Sequence, residues 1–168
     1  MTTLNKPKAK IDRLDMRILA GLAARGRQTV TELSKSVGLS LSPCTTRLER
    51  LEADQFITGY HAEIDVERLT DLSLYYVTVA LKPYDTETAR KIEEIITASP
   101  YIVSADALFG ANDYLLCVYA RSTQHYYEIV EPFTALHADC ETWPVSRRVV
   151  RPQIDRLVAQ LRRENVKP

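Results

Sequence analysis

The chain has 168 residues, 45% of them hydrophobic and 26% charged, with a formal net charge of zero. That length suits one ordinary domain or two small ones, and no apolar run approaches the ~20 residues that span a bilayer. The first fifteen residues lack an apolar core, which argues against a signal peptide and places the expected protein in the cytoplasm. Cys44, Cys117 and Cys140 form no CxxC pair and are expected to be reduced, largely buried thiols. His61, His125 and His137 are scattered and give no metal-ligand spacing.

The balanced total conceals an asymmetry. Residues 1–60 hold 10 Lys/Arg against 6 Asp/Glu, and residues 61–168 hold 12 against 16. A basic front on an acidic remainder suits a polyanion-binding head, although such an excess also arises by chance.

Residues 1–9 read as a mobile tail. A first helix is expected from Asp12, with Asp15 three residues on, both acids favoured by the unpaired N–H groups and dipole of a helix start. Leu14, Ile18, Leu19 and Leu22 give it one apolar face, and Gly26 stops it. Thr29 and Glu32 form a capping box that opens a second helix, with Leu33 and Val37 inward. Gly38 supplies the left-handed residue of a tight turn. A third helix begins near Ser40 or Ser42, where Pro43 is tolerated in the first turn.

In that third helix Cys44, Leu48 and Leu51 point inward. Ser42, Thr46, Glu49 and Arg50 occupy the opposite face, with Thr45 and Arg47 on the flanks. Two helices joined by a Gly turn, the second with an outward polar face, read as a helix-turn-helix that lays one helix in a DNA major groove. Ser40, Ser42, Thr45, Thr46, Arg47 and Arg50, with Arg27 ahead of the second helix, are the expected DNA-contacting residues. Small hydroxyl side chains permit close approach to base edges, and arginines reach phosphate or guanine. The competing reading is a solvated helix in a small helical domain. Phe56–Ile64 is expected as a turn and strand, which would make the head winged.

From Leu72 the periodicity changes to two. Leu74–Lys82 is an expected strand, with Tyr75, Val77, Val79 and Leu81 on one face. Thr86–Ser99 is a helix, Tyr101–Leu108 a strand, Gly110–Asp113 a turn, Tyr114–Ala120 a strand, Thr123–Leu136 a helix and Glu141–Arg151 a fourth strand. This βαββαβ order is that of a ferredoxin-like sandwich. Ile154–Glu164 is expected as a C-terminal helix. The fold class is therefore α+β. A helix-turn-helix domain spans 10–60, a connecting strand or linker 61–71, a ferredoxin-like domain 72–152, and a C-terminal helix and tail 153–168.

Leu14 to Asp65 and the hairpin Gly110-Ala111-Asn112-Asp113-Tyr114-Leu115-Leu116 resemble the Lrp/AsnC, or feast/famine, transcription regulators, whose hairpin reads G-x-x-D-Y-L-L. The resemblance implies a DNA-binding head and a RAM-type body that pairs sheet to sheet into a homodimer and assembles to an octamer. It implies a near-palindromic double-stranded operator and an amino-acid or related effector held between dimers. Carried onto this chain, the effector residues would be Leu108, Gly110, Asn112, Asp113 and Tyr114. Leu108-Phe109 and Glu141-Thr142-Trp143-Pro144 are bulkier than the family pattern, pointing to a larger or aromatic ligand, or to none. The hairpin is equally well a plain turn capped by Asp113.

Two other functions compete. An enzyme of the siroheme-decarboxylase type would use His61, His125, His137 and the Arg147-Arg148-Arg151 cluster. A ligand-binding protein without DNA function would carry acidic or apolar residues at Thr45, Thr46 and Arg50. No nucleophile-base pair, phosphate-cradling loop or paired carboxylate is evident, so no catalytic residue, metal or cofactor is expected.

Overall fold

The computed structural model describes residues 10–150 and 153–164. The tail 1–9 and the Arg151 end of the expected fourth strand lie outside the described residues. The chain divides into two compact units, one of residues up to Glu63 together with those from Val150, the other Ile64–Val149.

The first unit contains α1 (Arg13–Ala24), α2 (Val30–Val37) and α3 (Leu41–Ala53), and the last helix of the chain, α7 (Ile154–Glu164), lies beside α1. Its core is Ile18, Leu33, Val37, Cys44 and Leu51, flanked by Leu19, Leu22, Leu48, Phe56 and Ile57. The 3.6-residue spacing brings these residues to one side of each helix. The strand expected within 56–64 does not form. A strand needs a hydrogen-bonding neighbour, whereas here Phe56 and Ile57 turn into the helical core and the Tyr60 hydroxyl donates to Glu52 at 2.6 Å.

The second unit runs α4 (Val66–Leu69), β1 (Ser73–Ala80), α5 (Thr86–Ala98), β2 (Ile102–Ala107), β3 (Tyr114–Ala120), α6 (Thr123–Thr134) and β4 (Asp139–Pro144). The sheet is antiparallel with order β2-β3-β1-β4, the arrangement that the βαββαβ sequence implies. Asp85 and Ser122 cap α5 and α6. Val77, Val79, Leu116 and Val118 meet Ile92, Ile129, Val130 and Phe133 in the core between sheet and helices.

The fourth strand is displaced from its expected span. It pairs only with β1, from Ala80↔Asp139 to Tyr75↔Pro144, and its reach is set by that partner. One more bond, Val145 N–H to the Leu74 carbonyl at 2.9 Å, closes the ladder. Beyond it Val149 and Val150 are exposed. The face turned from the helices carries a small cluster of Leu74, Cys117 and Tyr119, beside exposed Tyr76 and Trp143 in register with each other.

Candidate nucleic-acid interface and ligand hairpin

The Thr29 capping box starts α2: the Thr29 hydroxyl accepts from Glu32 N–H, and the Glu32 carboxylate accepts from Thr29 N–H at 2.7 Å. Those bonds, the Thr29 backbone N–H first, hold the Glu32 carboxyl below its usual range. Gly38, at φ 75°, ends the helix in the left-handed region and turns the chain into α3. Ser40 is the N-cap of α3, yet its hydroxyl makes no capping bond. The Leu41 and Ser42 N–H groups of that first turn, Pro43 having none, are therefore left without a side-chain cap beside exposed Ser40 and Ser42. A helix start of this kind favours anions.

Thr46 is exposed on the outward face and Thr45 is half-buried beside it. Both hydroxyls donate backward, Thr45 to the Leu41 carbonyl at 3.0 Å and Thr46 to the Ser42 carbonyl at 3.2 Å. With their protons so engaged, these oxygens present acceptor lone pairs and methyl groups to a groove. Arg27 is exposed in the loop after α1 and lines a cavity of about 650 Å³ with Leu22, Val30, Leu48 and Tyr60. It thus sits by the Leu48 side of α3, away from the flank that carries Arg47 and Arg50.

The two arginines of α3 have partners that sequence reasoning did not foresee. Arg47 Nη1 donates to Asp12 at 2.5 Å and to Asp15 at 2.8 Å, and Arg50 Nη2 donates to the other Asp15 oxygen. The Asp15 side chain is wholly buried, while those of Arg47 and Arg50 are 28% and 46% exposed. Asp12 caps α1 by accepting from the N–H groups of Leu14 and Asp15. Burial pushes the Asp12 carboxyl up, but those backbone N–H groups and Arg47 outweigh it and leave it lowered. The bonds to Asp12 and then Asp15 hold Arg47 more firmly protonated. The sequence signal for Asp15 was present, an acid in a first turn, but nothing local indicated that α3 would bring it two cations.

In the second unit, the hairpin residues divide by role. Asp113 brackets β1: its N–H donates to the Val79 carbonyl at 2.9 Å, and its Oδ2 accepts from Leu81 N–H at 2.7 Å. The Tyr114 ring is buried and its hydroxyl donates to Glu93 at 3.1 Å. Burial first, and Glu93 next, push that phenol up to about 12. Leu108 is exposed, Asn112 half-buried, and Phe109 is 95% exposed at the tip. Gly110 has φ 149°, a conformation that side-chain-bearing residues rarely adopt. A separate open groove of about 580 Å³ lies between α6 and β4, lined by Tyr75, Tyr126, Tyr127, Glu131 and Thr142 among others.

Of the residues weighed for an enzyme, His125, His137 and Arg148 have structural positions. His125 Nδ1 accepts from Arg121 N–H at 3.2 Å and its ring meets Tyr101 edge-on. His137 holds a left-handed turn after α6, at φ 58°. Arg148 donates to the Tyr119 hydroxyl at 2.9 Å. Burial pushes all three cysteine thiols up, Cys140 to about 11.

Residues 11–58 match a family described as winged helix-turn-helix DNA-binding, and residues 74–154 match the Lrp/AsnC ligand binding domain. The chain is 36% identical over 118 residues to the Bkd operon transcriptional regulator of Pseudomonas aeruginosa, covering 70% of this chain and 77% of that protein. It is 34% identical over 111 residues to the leucine-responsive regulatory protein of Escherichia coli, covering 66% and 68%. The solved structure of a Neisseria meningitidis transcriptional regulator in complex with L-methionine superposes with a TM-score of 0.76 at 26% identity, covering 84% of this chain and 94% of that one.

Proposed function

The chain belongs to the Lrp/AsnC family of transcription regulators, and from that premise we propose that α3 enters the major groove of a near-palindromic operator. The observation that carries this is the outward N-terminal half of α3, where Ser40, Ser42 and Thr46 are exposed and the first-turn N–H groups are not spent on a side-chain cap. Ser40 and Ser42 lie where a phosphate would meet the helix start, and Thr45 and Thr46 meet base edges. Arg47, Arg50 and Arg27 flank them and complete the contact. The relatives named above are transcription regulators, which favours regulation over an enzymatic role in the cytoplasm.

The effector is an amino acid or a related, bulkier molecule. Its site is the hairpin Leu108, Gly110, Asn112, Asp113 and Tyr114, completed by a second dimer. Support comes from the open turn at Gly110 and from the exposed Phe109 and Leu108, which one chain leaves uncovered. Tyr114 and one Asp113 oxygen are committed to the fold, so they shape the site, and Leu108, Asn112 and the turn backbone touch the ligand. A gel shift on DNA flanking the protein's own gene, with and without an amino-acid panel that includes aromatic members, tests both halves. Coupling of about 1–3 kcal/mol corresponds to a roughly 5- to 150-fold change in operator affinity. Gly110→Val strains a backbone of positive φ, and Asn112→Ala removes a contact without strain. Both should lose that change and keep DNA binding; a full response in both variants would remove the hairpin from the site.

The sheet face that bears Tyr76, Trp143 and the Leu74–Cys117–Tyr119 cluster is apolar and lies opposite the helices. A one-sided sandwich of this kind buries its second face against another copy, giving a homodimer from which the octamer is built. Sedimentation equilibrium should find a dimer or larger at micromolar concentration, and Trp143→Lys should shift the protein toward monomer. A parent protein that remains monomeric would remove the assembly from this account.

A further inference from the structure

Asp15 has no exposed side-chain surface, yet it lies one bond from the DNA-facing helix. Its two oxygens accept three hydrogen bonds between them, from Arg47 at Oδ1 and from Asp12 N–H and Arg50 at Oδ2, and the Asp12 carboxylate in turn accepts from Arg47. Two carboxylates and two guanidiniums balance each other. Among the described residues, the one hydrogen bond of the Arg50 side chain runs through Nη2, and the rest of its guanidinium edge is open, with the side chain 46% exposed.

We propose that Asp15, assisted by Asp12, is a positioning pair for DNA recognition: it neutralises Arg47 and Arg50 and aims Arg50, so that α3 contributes direction rather than free positive charge. The inference rests on α3 being the groove helix. A free arginine meets DNA as a cation and binds any phosphate, releasing counterions and giving a salt-dependent, sequence-blind contribution. An arginine whose charge is already balanced adds little of that. Its planar fork, held at one end by a buried carboxylate, has less freedom to lose when the other edge meets a guanine. The arrangement therefore lowers non-specific binding and sharpens discrimination together. Of the two arginines Asp12 touches only Arg47, so its share is neutralisation, while Asp15 touches both and also aims Arg50.

The test uses the full-length chain, an operator selected by it from a random duplex pool, and a scrambled duplex, each titrated between about 50 and 200 mM salt. Asp15→Asn should lose about tenfold of the operator-to-scrambled affinity ratio, bind the scrambled duplex more tightly, and show a salt slope steeper by about one. Asp12→Asn keeps a capping side chain and should steepen the slope while leaving the ratio unchanged. A role in stability alone would lower both affinities in proportion to the folded fraction, measured by circular dichroism, and leave the slope unmoved. An unchanged ratio in Asp15→Asn, alongside a ratio lost in Arg50→Ala, overturns the aiming role. An unchanged slope in Asp12→Asn overturns neutralisation, even where Asp15→Asn does not fold. If Arg47→Ala and Arg50→Ala both bind as the parent does, the groove-helix assignment falls first and the positioning pair with it.

Discussion

Phe133→Ala should cost the second unit about 3–5 kcal/mol, the largest loss expected of any single truncation among the described residues. Phe133 has no exposed surface and belongs to the cluster that joins α6 to Val77, Val79, Leu116 and Val118 of the sheet. Removing the ring forfeits its transfer free energy, and the rigid strands beneath cannot close the void. A loss of that size is comparable to the whole stability of a small domain. Urea unfolding followed by tryptophan fluorescence reads this directly, because Trp143 is the chain's one tryptophan and lies on β4. The expected result is an early transition of the second unit, with the helical first unit unfolding near its parental midpoint by circular dichroism. Assembly and ligand response should be lost with it. A midpoint within error of the parent would show that the interior re-forms around the gap.

Thr46→Glu should weaken operator binding by about 2–3 kcal/mol, roughly 30- to 150-fold, without destabilising the head. Thr46 is exposed in the middle of α3, and its hydroxyl returns a hydrogen bond to the Ser42 carbonyl. Glutamate is a better helix former than threonine, so thermal stability should hold or rise. Its carboxylate would face phosphates and base acceptors at close range, a like-charge contact in a partly desolvated groove. The two measurements separate cleanly: fluorescence anisotropy for affinity, and a melting curve for the fold. Parental affinity in a folded Thr46→Glu variant would place α3 away from the DNA. Thr45→Glu is a weaker probe, because that residue is half-buried and a change there acts on packing as well.

Much of the fold is local and was legible in the residues. Thr29 and Glu32, Asp12 and Gly38 mark helix ends through bonds that span two to four positions. Tyr114–Ala120 is a short unbroken apolar run after the Gly110–Asp113 turn, enough to define its strand. The outward polar face of α3 follows from the 100° step between residues and the apolar Cys44, Leu48 and Leu51 opposite.

What depends on distant partners was not legible. The Phe56–Ile64 stretch has the composition of a strand but lies in a unit of helices, where Phe56 and Ile57 gain more by entering the core. The fourth strand carries valines as far as Val150, yet its ladder ends with β1, because a strand extends only as far as its neighbour does. Asp113 read as the cap of its own turn, and in the structure it brackets a strand more than thirty residues earlier through Leu81. Arg47 and Arg50 read as free cations on a DNA-facing helix until the packing of α1 against α3 set a buried carboxylate beside both. Caps, turns and periodicity are fixed by neighbours a few residues away and are written in the chain. The charge state of a surface, the length of a strand and the freedom of an arginine are set by groups that meet only after collapse, and those the tertiary structure alone decided.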